Sequence, residues 1–467
     1  MKHDDVSLDA HSPTTLLLSA ETPAALETAT RNLATWVAEI CKPDHAAWPL
    51  PEVAVGLRER CKPLAHRRAV HVESWRDALA ALADKTRQVT AAAVEGAPKL
   101  FVSLPGQGSL RPGVLARLLA SAPAWAHHLD HFSRLAKDIS GFDCAAWLAD
   151  PNADADSVLK DNARTQLAIF CAGVSLGRWL LDLGLRPDGY VGHSLGEWMG
   201  AALAGTLSDE HAVRAVHHRG RLMQTTGPGA AIIVRQTPEA LMPLLAELRG
   251  EPAGSASGAP SREGMGTLPG SPYCDVSLAC VNAPNLCLVS GRPEAVASCA
   301  ERLAAARTIC RPAPIHVAVH SPIMDAVVEP FLRELEQLTF AAPRTPLLST
   351  VTGEWMPESQ VRDRTYWARQ LRNPVRFDKA AATLLAEPSA VVLEVGMGAA
   401  LTSLVTTQTR NRPSHRALAL LGREEPPPEG YEPGRLHQTL GELWASGAAF
   451  DPVGDVELTR PGPDLPG

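Results

Sequence analysis

Ser194 lies in "GYVGHSLGEWMG", residues 189–200, between Gly192 and Gly196 in the spacing G-x-S-x-G. An apolar run precedes it and a helix-like run follows. That is the pattern of a nucleophile elbow, a tight strand-to-helix turn that lifts a serine hydroxyl into the open. Small residues two before and two after are needed because the strained turn leaves no room beside the backbone. An ordinary glycine-bearing loop fits the same five residues. A serine nucleophile also needs a base, because its hydroxyl reacts slowly unless an imidazole takes the proton. The chain has 16 histidines. His193 is adjacent, but neighbouring side chains on a turn point apart. His217 and His218 sit on the following helical stretch and read as solvated. His320 ends an apolar stretch and precedes Ser-Pro, where a side chain can enter a cleft. A satisfied structural histidine is the competing reading of His320.

The patterns around these residues describe an α/β chain. "TTLLLSA" reads as a strand, and "TPAALETATRNLATWVAEI" as a helix capped by Thr22 with Pro23 at its first position. The small α/β unit they begin runs to about residue 95. "APKLFVSLPGQGS" is a strand breaking into a Pro-Gly loop, and helices follow to about 186. From "AAIIVRQ" to "ICRPAPIHVAVH" the order is βαββαβ, that of a ferredoxin-like unit. Its first helix leads into a Gly/Ser/Pro-rich stretch that reads as a mobile loop. After 321 come a helix, the strand "LLSTVTG", the helix "TYWARQLRN" and the strand "AVVLEVG". A proline-rich end carries one more helix at "GRLHQTLGELWASG".

Bulk properties narrow the function classes. With 467 residues, 45% apolar, 20% charged and net charge -7, the chain reads as a globular protein without a basic block, so nucleic acid is not expected as a partner. The nine cysteines form no C-x-x-C pair, which fits reduced thiols. The polar start and the lack of a long apolar window predict a cytoplasmic protein with no signal peptide and no membrane contact. "DPNADADSVLKD" spaces acidic groups like a calcium loop. It has Ala155 at the sixth position and Asp161 at the twelfth, so a polar helix-start loop is expected and no metal. "GQGS" lacks the Gly-Lys-Ser/Thr of a nucleotide loop.

Six motifs then occur in order: "LPGQGS", "GHSLGEW", "RGRLMQ", "VHSPIM", "YWARQLRNPVRF" and "LEVGMGAAL". With them the chain resembles, from about residue 15 to 450, the acyltransferases of polyketide synthases and the malonyl-CoA:acyl carrier protein transacylases. The resemblance implies an α/β-hydrolase-like core at 98–229 and 321–421 with an inserted ferredoxin-like subdomain at 230–320, whose mobile loop is 249–272. It also implies an N-terminal unit at 1–97, like the linker between ketosynthase and acyltransferase, and a proline-rich linker at 422–467.

By the same resemblance, Ser194 is the acylated nucleophile and His320 the general base. A backbone carbonyl near "RQLRNPV" holds the histidine, with Gln370 or Asn373 orienting it. The amides of Gln107 and Leu195 form an oxyanion hole, as suits N–H groups at a helix N-terminus. Arg219 pairs with the free carboxylate of a malonyl group, because a guanidinium grips a carboxylate through two parallel hydrogen bonds. Without the resemblance it would read as a solvated helix residue. Asn282 lines the site. Trp198 stands where Tyr is common, and Met397 where proline is usual.

The implied activity is a ping-pong transfer of a malonyl-type group from a CoA thioester to the phosphopantetheine thiol of an acyl carrier protein, with no bound cofactor and with a ketosynthase as a further partner. An acyl hydrolase and a non-catalytic docking module compete with it. The retained Arg219 speaks against the first, and the intact Ser194, His320 and Gln107 set against the second. Malonyl is expected over methylmalonyl. Val317, Ala318, Val319 and His320 match neither of the family's two usual four-residue patterns, but branched Val319 still crowds the pocket. Leu195 leans the same way.

Overall fold

The computed structural model describes residues 8, 13–42, 48–60, 62, 64–92, 98–107, 110, 112–249, 276–409, 411–422, 431 and 433–452. In chain order its strands are β1 (Thr14–Ala20), β2 (His66–Val72), β3 (Gln88–Ala92), β4 (Lys99–Leu104), β5 (Gly189–Gly192) and β6 (Ala230–Val234). They continue with β7 (Val276–Ala283), β8 (Leu286–Gly291), β9 (Cys310–Pro312), β10 (Leu347–Leu348), β11 (Val375–Arg376), β12 (Ala390–Glu394) and β13 (His415–Ala419).

The central sheet has the order β10-β5-β4-β12-β13, and every pairing in it is parallel. β5 and β12 are buried throughout, as strands covered by helices on both faces must be. This is the α/β-hydrolase-like core. In such a sheet the reactive groups gather at the carboxyl ends of the strands, and Ser194 follows β5 directly.

The inserted unit has the sheet order β11-β7-β8-β6-β9, so its own four strands run second, third, first, fourth across the sheet. That is the ferredoxin-like arrangement. The fifth strand, β11, comes from the core and pairs in parallel with β7, Val375 opposite Cys280. One difference from the sequence pattern matters. The apolar run 309–320 is a strand over Cys310–Pro312 alone, and Val317–His320 is a tight turn with Val319 N–H donating to Val317 O at 2.8 Å. Pro312 and Pro314 have no N–H to give a ladder, which stops the strand. His320 therefore leaves a turn, with φ of 52°.

At the N-terminus, β1, β2 and β3 form an antiparallel sheet with its own apolar cluster, including Leu26, Val37, Val53 and Trp75. Thr22 caps the helix Pro23–Ile40 through Ala25 N–H. The helix Pro433–Ala445 returns from the far end of the chain and packs on this sheet. Thr15 Oγ1 donates to His437 O at 2.9 Å, and Arg67 reaches Trp444 O at 3.0 Å. Asp154, in the stretch that spaces acids like a calcium loop, caps the helix Ala155–Leu159. The Gly/Ser/Pro-rich stretch 249–272 lies, from residue 250, outside the described residues, as does most of 422–467. No helix among the described residues is long and apolar enough to cross a membrane.

The two elbow glycines have a steric reason. A Cβ on Gly192 would lie 2.0 Å from Glu197 N, and one on Gly196 would lie 1.9 Å from Leu104 O. Both obstacles are backbone, so neither can swing aside. Gly196→Ala should therefore lower stability by more than about 3 kcal/mol. Gly141→Ala, at a helix end with φ of 72° and nothing within 4 Å, should cost about 1 to 2 kcal/mol. Urea unfolding midpoints compare the two, and equal losses would mean that the elbow can open to admit a methyl.

Candidate active site

Ser194 has φ of 55° and ψ of -106°, a strained conformation for a residue with a side chain. It is the N-cap of the buried helix Leu195–Leu203 and makes no capping bond with its hydroxyl. The hydroxyl is thus free to point elsewhere. Its Oγ lies 2.7 Å from His320 Nε2. His320 Nδ1 lies 2.7 Å from the Asn373 carbonyl oxygen, which can only accept. Nδ1 therefore carries the proton, and Nε2 is left bare to take one from Ser194.

Arg219 comes from the helix Asp209–Gln224, which packs on the helix Asn162–Asp182. The two approach closely at Gly220, where a Cβ would lie 2.5 Å from Ala163 Cα. Arg219 is 2% exposed, so it is not a solvated helix residue. Its Nη1 donates to Gln166 Oε1 at 2.7 Å and its Nη2 to Ser194 Oγ at 3.0 Å. It makes no ion pair among the described residues. Its Nε and Gln370 Oε1 are buried polar atoms without a hydrogen-bond partner there.

The remaining residues singled out in the sequence divide by position. Asn373 meets the imidazole through its carbonyl. The Gln370 side chain instead donates to the Ser194 carbonyl at 2.7 Å, so it steadies the backbone of Ser194. Asn282 Oδ1 lies 2.8 Å from His193 Nε2, one residue short of the nucleophile. Val317 and Val319 are buried in the turn before His320. Leu195 opens the elbow helix, and Gln107 lies in the loop after β4. That loop touches the elbow, since a Cβ on Gly106 would lie 2.6 Å from His193 O. Trp198 is fully buried against Trp367 and Phe331, away from the serine hydroxyl.

Comparison with known proteins fixes the family. The profile of the acyl transferase domain matches residues 100–252 and 264–441. The chain belongs to the acyl transferase domain family. The acyl transferase is 30% identical over 347 residues to a phenolphthiocerol/phthiocerol polyketide synthase from Mycobacterium tuberculosis. That match covers 74% of this chain and 21% of the synthase polypeptide, so the chain spans about a fifth of that relative's length. Among solved structures it resembles the SpnD acyl transferase domain in complex with a 2-(pent-4-yn-1-yl)malonyl group, at 27% identity and TM-score 0.77 over 93% of this chain and 96% of that one. It also resembles a malonyl-transacylase solved with its type II polyketide synthase acyl-carrier protein, at 25% identity and TM-score 0.58 over 70% of this chain and 96% of that one.

Two parts of the acyl transferase site escaped the sequence reading. Gln166, which grips Arg219, follows Arg164 and Thr165 in "RTQLAIF" and so reads as the polar lead-in to an apolar run. Its polar neighbours give no sign that it is buried, at 1% exposed. Glu197 is a buried carboxyl within the elbow motif itself. It receives hydrogen bonds from Thr350 N–H at 2.6 Å and from Tyr366 Oη at 2.9 Å.

Burial sets the charges. It lowers His320 to about 3, with the Arg219 charge adding to the effect, so the imidazole is neutral near pH 7. Burial also lowers Arg219 to about 10, which leaves it charged. The folded His320 value lies below the ordinary 6.5, so the folded protein holds fewer protons than the unfolded chain between these values. This group's stabilising contribution is complete above pH 6.5 and is lost as pH falls towards 3. Across that window it should steepen the acid loss of stability by up to about 1.4 kcal/mol per pH unit. His320→Asn should remove that share, read by urea unfolding at a series of pH values. An unchanged slope would place His320 in water.

Proposed function

We propose that this acyl transferase is a ping-pong transacylase. It moves a malonyl-type extender from CoA, through an ester on Ser194, to the phosphopantetheine thiol of an acyl carrier protein in polyketide assembly. One observation carries the reading: Ser194 Oγ is within hydrogen-bond reach of both a neutral imidazole and a buried guanidinium. The first is a base and the second an anchor for a carboxylate. The malonyl-derived ligand of one structural relative and the carrier protein bound to the other support the same substrate and acceptor.

Chemically, Ser194 Oγ attacks the thioester carbon as its proton passes to His320 Nε2. The carbonyl oxygen becomes an oxyanion facing the amides of Gln107 and Leu195. The carbon–sulfur bond then breaks, and His320 returns the proton to the departing CoA sulfur. The carrier thiol repeats these steps in reverse and frees Ser194. While His320 is protonated it sits near Arg219, and two buried positive charges repel. A malonyl carboxylate on Arg219 offsets that repulsion, which favours substrates that carry one. By the family resemblance alone, we propose the N-terminal unit as the side that would meet a ketosynthase.

Incubation with equal malonyl-CoA and methylmalonyl-CoA, with and without carrier protein, tests the reading. Mass on Ser194 and then on the carrier is expected, mostly malonyl. One methyl group discriminates by only about 1 to 3 kcal/mol, so the methylmalonyl adduct should be minor and not absent. Ser194→Ala should gain no acyl mass, and His320→Ala should gain it orders of magnitude more slowly. Free malonate without carrier transfer would mean a hydrolase, and no labelling a docking module.

Arg219→Ala should lose about 2 to 5 kcal/mol of transition-state stabilisation with malonyl-CoA, from kcat/KM, and much less with acetyl-CoA. Equal losses on the two substrates would remove Arg219 from carboxylate recognition.

A further inference from the structure

Glu197 is 4% exposed and sits in the first turn of the helix that Ser194 caps. The hydroxyls around it can be followed proton by proton. Ser349 Oγ accepts from Val351 N–H and Thr352 N–H, both at 3.1 Å, and lies 2.8 Å from Tyr366 Oη. Tyr366 spends its single proton on Glu197 Oε2. The proton between Ser349 and Tyr366 is therefore the serine's. On the other side, Thr350 Oγ1 lies 2.5 Å from Glu197 Oε1 and 3.0 Å from the Gly192 carbonyl oxygen. A threonine hydroxyl has one proton, and a carbonyl and a carboxylate both only accept. Both contacts are hydrogen bonds if Glu197 Oε1 is protonated and donates to Thr350 Oγ1 while accepting from Thr350 N–H at 2.6 Å, leaving Thr350 Oγ1 to donate to Gly192.

Burial pushes in the same direction. Burial raises Glu197 to about 7, against the opposing donors Thr350 and Tyr366 and the nearby Arg219 charge. The acidic group that acts on Arg219 is Glu197. No hydrogen bond or ion pair joins the two among the described residues. An ionised Glu197 would compete with an incoming carboxylate for the same buried positive charge.

We propose that Glu197 is a neutral carboxylic acid in the resting protein, and that its missing charge leaves Arg219 free to select acyl groups that bear a carboxylate. The inference rests on the transacylase reading for its consequence, though not for the protonation itself. Glu197 is a positioning residue that acts through Arg219 without touching substrate. The selectivity then depends on pH in a definite direction. As pH rises and Glu197 loses its proton, Arg219 is partly neutralised from within, and carboxylated substrates lose their advantage.

The test is the ratio of kcat/KM for malonyl-CoA to that for acetyl-CoA as a function of pH. Changes in His320 or in the CoA phosphates affect both substrates and cancel in the ratio. The ratio should fall about tenfold or more between about pH 6 and about pH 8.5. Glu197→Gln should keep the selectivity and flatten the profile. Tyr366→Phe removes a donor that favours the ionised form, so it should move the midpoint of the fall upward. A merely structural role would not move that midpoint. Infrared spectra of the full chain give a reading independent of catalysis. The difference between wild-type and Glu197→Gln spectra, which removes any share from the buried Glu394, should show the C=O stretch of a protonated carboxylic acid at about pH 6 and lose it as pH rises. A flat wild-type ratio, an unmoved midpoint in Tyr366→Phe or no such band overturns the inference. If neither acyl group labels Ser194, the transacylase reading fails, and the infrared band still decides where the proton is.

Discussion

The site depends on one close approach of backbone to backbone. The helix after Ser194 starts so near the end of β4 that Gly196 lies against the Leu104 carbonyl. Space for a side chain is missing at Gly192 and Gly196 on either side of Ser194, and Ser194 itself has positive φ. That strain is offset elsewhere. The Gln370 side chain holds the Ser194 carbonyl, and His193 N–H donates to Leu104 O at 2.9 Å. The result is a serine hydroxyl with nothing to cap and a partner waiting within reach.

That partner is held by a second join. Asn373, whose carbonyl fixes the His320 tautomer, lies two residues before β11. β11 is the piece of the core that extends the ferredoxin-like sheet by pairing with β7. His193, beside the nucleophile, meets Asn282 on β7 itself. The Ser194 turn and the carbonyl behind His320 are therefore each tied to one strand of the inserted unit. A shift of that unit against the core would alter the geometry on both sides of the dyad.

Electrostatics follow from depth. Arg219, His320 and Glu197 are all nearly fully buried, and burial moves each towards its neutral form. Arginine starts so far above neutral pH that it stays charged, whereas the imidazole loses its charge and the carboxyl sits near the point of doing so. A pocket with one uncompensated positive charge is poor company for an imidazolium and good company for an anion. On the proposed transacylase reading, the burial that leaves His320 neutral would also favour a carboxylate-bearing acyl group.

Features that depend on neighbours along the chain were readable before folding. The elbow was legible because its steric demand falls on residues two before and two after the serine. The βαββαβ order was legible because strand and helix periods are local. Ser194 stood out by the elbow pattern, His320 kept a competing structural reading, and Arg219 was singled out only through the family resemblance. Tertiary structure decided what depends on residues far apart in sequence. The strand expected to end at His320 became a turn, because prolines ended the ladder and the imidazole had to face both Ser194 and Asn373. Gln370 turned to the serine's carbonyl, and Asn282 to His193. Gln166 and the Thr350–Glu197–Tyr366 cluster left no local pattern, since their partners lie 53, 153 and 169 residues away. A buried polar group takes whatever donor or acceptor the packing brings to it, and that match exists only once the helices and strands have closed around it.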